Sequence, residues 1–197
     1  MLVGFNNFGF QHLAEAEPYK ARGLEGLAEA AHDLGFRAFQ INASRPRDPQ
    51  WFRRFDVPAL RRRLEALDVR PYLHDHAIDL VSLFHFAERG DYCRVFVDYV
   101  RAAAEFIHAL GGHVVTFHPP QVNALHYLED PPGPDVMERA ADTFRDVLEE
   151  LGETAERLGI GMAIEAICFG DPFVGGSCFR GTQELDRFVR APDFPDA

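Results

Sequence analysis

Short apolar runs alternate with long amphipathic stretches along this chain, and that alternation restricts the fold more than any other feature. The runs are Leu2–Phe5, Arg37–Ile41, Val69–His74, His113–His118 and Ile160–Glu165. Each has the length of a strand and is too short for a stable helix. Between them lie stripes at helical spacing. They are Leu24, Leu27, Ala28, Ala31 and Leu34; then Val57, Leu60, Leu64 and Leu67; then Val95, Tyr99, Ala102, Ala103, Phe106 and Leu110. A last long stripe carries Val136, Ala140, Phe144, Val147, Leu148, Leu151, Ala155 and Leu158. Gly35, Gly111–Gly112 and Gly159 stand where these helices stop, the usual place for glycine. Asp56, with Pro58 just inside, is set to cap the second helix, and Asp135 the long one. The stretch Phe84–Asp91 shows no clear period. A last helix is expected over Gln183–Val189, capped by Thr182.

Strand followed by helix, five times over, predicts an α/β fold with parallel strands and crossover helices. The competing arrangement is an open doubly wound sheet. That fold usually carries a glycine-rich phosphate loop after its first strand, and Phe5–Phe10 is a poor match to one. A closed (β/α) barrel has eight strand–helix units in about 250 residues. The expectation is therefore a partial barrel with about five of eight units. Residues 1–197 are expected to form a single domain, incomplete at its C-terminal end.

The charge of -11 works against a nucleic-acid surface, which needs a basic footprint. Arg61, Arg62 and Arg63 fall mostly on the outer faces of their helix. Three cysteines, Cys93, Cys168 and Cys178, make no disulfide framework and fit a reducing, cytoplasmic setting. Met1–Phe10 lacks the basic start of a signal peptide. No apolar run approaches the roughly 18 residues of a membrane span.

Three of the five runs end in groups that bind metals: His74, His118 and Glu165. In parallel α/β folds ligands gather at the carboxyl ends of strands. Two imidazoles and one carboxylate suit Zn²⁺, Mn²⁺ or Fe²⁺. Glu165 follows a largely apolar run, and burying its charge there is costly unless it is paired or metal-bound. The competing reading for Glu165 is a salt-bridged rim residue, and for His118 a histidine bonded under the Pro119–Pro120 turn. His76 competes with His74, and Asp75 is placed to orient a ligand histidine. Cys168 and Cys178 lack zinc-knuckle spacing. A Cys168–His118 nucleophile pair and a phosphate cradle at Gly170–Gly176 are weaker options. Trp51, with Arg47, Arg53 and Arg54, could stack on a base or sugar.

These residues resemble the xylose-isomerase-like barrel superfamily, which holds sugar isomerases and epimerases together with endonuclease IV-like AP endonucleases (family 2). Phe39-Gln40-Ile41 with Arg45-Pro46-Arg47 and Gln50-Trp51 resembles the second-strand segment of the endonuclease branch. His74 with Ile78-Asp79-Leu80 resembles the third-strand metal histidine and its loop. Phe117-His118-Pro119 resembles the fourth-strand metal histidine, and Ala163-Ile164-Glu165 the fifth-strand metal glutamate. Further aspartate, histidine and glutamate ligands of that superfamily lie on later strands. The endonuclease branch has a glycine where Pro120 stands, and a tyrosine soon after the third-strand histidine that this chain lacks.

The resemblance implies a TIM barrel and a divalent-metal-dependent isomerase or epimerase of sugars or sugar phosphates. It implies His74, His118 and Glu165 as metal ligands, with Glu165 also catalytic as one of two acid–base groups. The metal expected is zinc or manganese, with iron as the third choice. No organic cofactor is implied, and a homo-oligomer is compatible with the fold. An abasic-site endonuclease is the alternative; a non-catalytic metal- or sugar-binding module, or an inactive fragment, is the other.

Overall fold

The computed structural model describes residues 4–5, 23–42, 49–74, 83–120 and 133–165. Five strands form one sheet: β1 (Gly4–Phe5), β2 (Ala38–Asn42), β3 (Arg70–His74), β4 (Val114–Phe117) and β5 (Gly161–Ile164). Their order is sequential, β1-β2-β3-β4-β5, and every neighbouring pair is parallel. A doubly wound sheet would reverse direction after its first strands. The sequential order is that of a barrel wall, here partial and unclosed among the described residues.

The helices are α1 (Gly23–Asp33), α2 (Val57–Leu67), α3 (Leu83–Ala87), α4 (Asp91–Ala109) and α5 (Pro134–Leu158). A 3-10 helix, Pro49–Arg54, precedes α2. Asp56 caps α2 as expected: its Oδ1 accepts from the Ala59 amide at 3.0 Å. Two local expectations are corrected, and one unassigned stretch proves partly helical. Helix α3 occupies part of the stretch that showed no period, because one short turn leaves too few residues for a period to register. Asp135 does not cap α5. Gly133 is the cap residue and Pro134 opens the helix, so Asp135 sits in the first turn, where Arg139 bonds its carboxylate at 2.9 Å. Leu34 is 52% exposed, since α1 ends one residue earlier and its buried face is Gly26, Ala28, Ala30 and Ala31.

Side chains alternate between the two faces of a strand. Phe39, Ile41, Leu73, Val115 and Phe117 are all at 0% exposure and pack into the helix-side core with α4 and α5 residues. Phe86, Phe96, Phe117 and Phe144 meet edge to face, with ring centroids 5.5 to 6.4 Å apart. Each buried phenylalanine contributes about 1.5–3 kcal/mol, so this quartet binds α3, α4 and α5 to β4. Gly112 permits a tight passage from α4 into β4. A Cβ there would collide with the Pro71 carbonyl oxygen and the Ile107 side chain. The opposite face carries Gln40, Tyr72, His74 and Thr116. Among the described residues no helix is long and apolar enough to cross a membrane.

Candidate metal centre

The parity that buries Phe117 also determines where the polar residues go. His74 is the last residue of β3. His118 and Glu165 follow β4 and β5 directly, and the Glu165 amide prolongs the ladder by bonding the Phe117 carbonyl at 2.9 Å. Each lies an even number of residues from the inward positions of its strand. All three side chains therefore emerge on the face away from the helices, at the carboxyl end of the sheet.

They converge there. One ligand atom from each of His74, His118 and Glu165 lies within 4.8 Å of the others. The His74 and His118 rings stand 5.1 Å apart, tilted by 45°. His74 Nε2 lies 2.7 Å from Glu165 Oε2. The spread exceeds the roughly 3–4 Å expected of a zinc-filled set, while one pair is closer. At 2.7 Å the carboxylate and the imidazole are in direct contact.

The environments differ. His74 and His118 are buried, at 8% and 2% exposure, whereas the Glu165 side chain is 49% exposed. The expectation of a buried carboxylate is thus corrected. Glu165 stands at the strand end rather than inside it, and its charge remains half solvated. His118 Nδ1 lies 3.3 Å from the Glu165 carbonyl oxygen. A carbonyl only accepts, so this nitrogen carries the proton and Nε2 keeps the lone pair a metal requires. Burial pushes the His118 imidazole below its ordinary pKa, opposed by that hydrogen bond, which favours the neutral, ligating form. The donor chemistry fits a divalent metal: two imidazoles and a carboxylate at a solvent-reached rim.

Behind His74 stands a polar pair that the sequence shows only as part of a motif. Gln40, at 3% exposure, places Nε2 3.1 Å from His74 Nδ1. The Tyr72 hydroxyl donates to Gln40 Oε1 at 3.3 Å. Burial pushes the Tyr72 phenol up, which keeps it a neutral donor. A glutamine between Phe39 and Ile41 in a central strand is the available signal.

Other expectations fall elsewhere. Arg53 and Arg54 are exposed on the 3-10 helix. Cys93 is buried, and its thiol donates to the His85 carbonyl at 3.2 Å. Asp75, His76, Asp79, Arg45, Arg47, His126, Cys168, Cys178, Gly170–Gly176 and the helix expected over Gln183–Val189 lie outside the described residues.

A sequential parallel sheet with helices on one face and metal-binding groups at its carboxyl rim defines a partial TIM barrel with a candidate metal centre. The chain belongs to the Xylose isomerase-like TIM barrel family, whose model matches residues 28–195. No curated protein matches it in sequence. Solved structures share its fold. An L-ribulose 3-epimerase superposes with a TM-score of 0.67 at 17% identity, over 96% of this chain and 56% of the other. The D-psicose 3-epimerase of Clostridium cellulolyticum H10, solved with D-tagatose, gives 0.66 at 14%, over 96% and 59%. The IOLI protein "with a binding zinc atom" gives 0.65 at 20%, over 96% and 58%. The chain thus spans less than two thirds of the length of these relatives.

Proposed function

We propose that this chain is part of the barrel of a divalent-metal-dependent isomerase or epimerase acting on a small sugar or sugar phosphate. The observation that carries this reading is the convergence of His74, His118 and Glu165 within 4.8 Å at the carboxyl ends of three consecutive parallel strands. Structural likeness to ketose 3-epimerases supports the substrate class, and likeness to a zinc-bearing protein supports the metal. Zinc and manganese are the ions of choice.

When bound, a divalent ion supplies Lewis acidity that polarises a substrate carbonyl and eases removal of the neighbouring proton. The chain's own groups do the rest. His74 and His118 hold position from a buried layer. Glu165, half solvated, offers one carboxylate oxygen toward the site and a second to accept the proton at the carbon beside the carbonyl. Returning that proton to the opposite side of the carbon requires a second acid–base group. On the resemblance to the family, that group would be expected on a later strand.

The test is solvent-hydrogen exchange. The protein, loaded with Mn²⁺ or Zn²⁺, is incubated with a panel of ketoses and their phosphates in D₂O. Deuterium at the carbon next to the carbonyl, lost in Glu165→Gln, is the expected result. Metal binding with no exchange across the panel would refute the enzyme reading and leave a metal-binding module. The net charge of -11 argues against the abasic-site endonuclease alternative.

A further inference from the structure

The Gln40 amide is almost fully buried and meets both a ring nitrogen of His74 and the Tyr72 hydroxyl. The register explains how. Gln40 pairs directly with Tyr72 across β2 and β3, and Asn42 pairs with His74. Gln40 therefore reaches diagonally to the residue two beyond its partner, on the same face of the sheet.

An imidazole with one proton must choose which nitrogen carries it, and the partner at one nitrogen decides the other. In the arrangement described, Gln40 Nε2 faces His74 Nδ1. An amide N–H only donates, so Nδ1 accepts and the ring proton sits on Nε2, the nitrogen that lies 2.7 Å from Glu165 Oε2. That tautomer cannot ligate through Nε2. Turning the Gln40 amide over would present Oε1 to Nδ1, hold the proton there and leave the Nε2 lone pair facing Glu165. The Tyr72 hydroxyl can follow, because a hydroxyl donates to Oε1 in one state and accepts from the amide N–H in the other.

We propose that Gln40 is a positioning residue that sets the His74 tautomer, so that metal uptake at His74 Nε2 is coupled to reversal of the Gln40 amide against Tyr72. This rests on the metal-site reading of the proposed function. The proton count closes: the ring proton leaves Nε2 and one proton is held at Nδ1, so His74 releases no net proton when it ligates. His118 needs no such reversal, because the Glu165 carbonyl already fixes its proton on Nδ1. The two histidines are thus prepared differently, one by an acceptor of fixed sense and one by a reversible amide.

Two measurements test it. The first is long-range ¹H–¹⁵N NMR of the His74 ring in the wild-type chain, which requires no variant to fold. The Nε2–H tautomer is expected without metal and the Nδ1–H tautomer with Zn²⁺. The second is Zn²⁺ titration of Gln40→Met and Gln40→Glu, with melting curves to confirm folding. Methionine keeps the length and removes both hydrogen bonds, so affinity should fall about 10- to 100-fold, the usual loss when a partner of a metal-ligating histidine is removed. Glutamate accepts only and should bind Zn²⁺ at least as tightly as wild type. An unchanged tautomer, or wild-type affinity in Gln40→Met, overturns the role of Gln40 while leaving the metal site standing. Absence of Zn²⁺ binding by the wild type overturns the site itself, and this inference with it.

Discussion

Glu165→Gln separates the chemistry of the rim from the stability of the fold. The substitution keeps size and shape and removes one charge. In the folded chain that charge meets His74 Nε2 at 2.7 Å, with the carboxylate 49% exposed. Exposed ion pairs contribute roughly 0–1 kcal/mol, and glutamine still offers an oxygen to the same ring. The metal-free variant should therefore lose less than about 1 kcal/mol, which for a chain of this size lowers the melting temperature by no more than about 2–4 °C. Metal should tell the two proteins apart. A ligand held at about 100 times its dissociation constant stabilises the folded state by about 2.7 kcal/mol, equivalent to roughly 5–10 °C. Wild type should show that rise with Zn²⁺ or Mn²⁺, and the variant should lose most of it. Calorimetric titration gives the affinities directly. Equal metal-induced shifts and equal affinities would remove Glu165 from the site. A metal-free variant that fails to fold would show that the carboxylate holds the sheet together, contrary to its exposure.

Gly112→Ala should destabilise the chain by about 1–3 kcal/mol in urea unfolding, because the new methyl group meets the Pro71 backbone; Gly152→Ala, with nothing within 4 Å in mid-helix α5, should instead stabilise by about 0.5–1 kcal/mol. Burial, opposed by Arg89, pushes the Cys93 thiol from 9.0 up to about 11. The unfolded chain then ionises first as pH rises. The stability difference between wild type and Cys93→Ala should be level below pH 9.0 and shrink as pH climbs to about 11; a difference that grows over that window would contradict the assignment. Duplex DNA carrying an abasic site should not be retarded by the chain in a mobility-shift assay at physiological salt, given a charge of -11; sub-micromolar, salt-sensitive binding would restore the endonuclease alternative.

The sheet is legible in the sequence because its signal is redundant. Each strand is a short apolar run, and most lie between a glycine stop and a loop rich in proline or polar residues. Phe39, Ile41, Leu73, Val115 and Phe117 are the alternate residues of those runs, and all reach the core. What escapes are single decisions with one residue of evidence each. Asp135 and Gly133 are both able to precede a helix, and Pro134 at the first position settles the matter for Gly133. Leu34 continues the period of α1, but the helix ends at Asp33 and the chain turns through Gly35 at a φ of 82°. Period alone cannot report where a backbone leaves its helix.

The site is legible for a different reason, and only in outline. Side-chain parity is a property of sequence, so three polar groups at strand ends can be assigned to one rim from the order of residues alone. Stagger is not. His74 pairs with Thr116, and Thr116 with Ala163, while Phe117 pairs with Ile164. His118 and Glu165 therefore end their strands level with each other, and His74 lies two residues lower on β3. The contact that results, His74 to Glu165, skips a strand and passes above the row of Thr116 and Ala163, whose side chains are small. A large residue at either place would stand between the imidazole and the carboxylate. The same stagger brings Gln40 within reach of His74, since β2 and β3 pair Asn42, not Gln40, with His74. Burial is the wrong argument for Glu165, which is half exposed. Its place beside His74 follows from register, and the geometry of the candidate centre is set as much by the small residues below it as by the three groups that face one another.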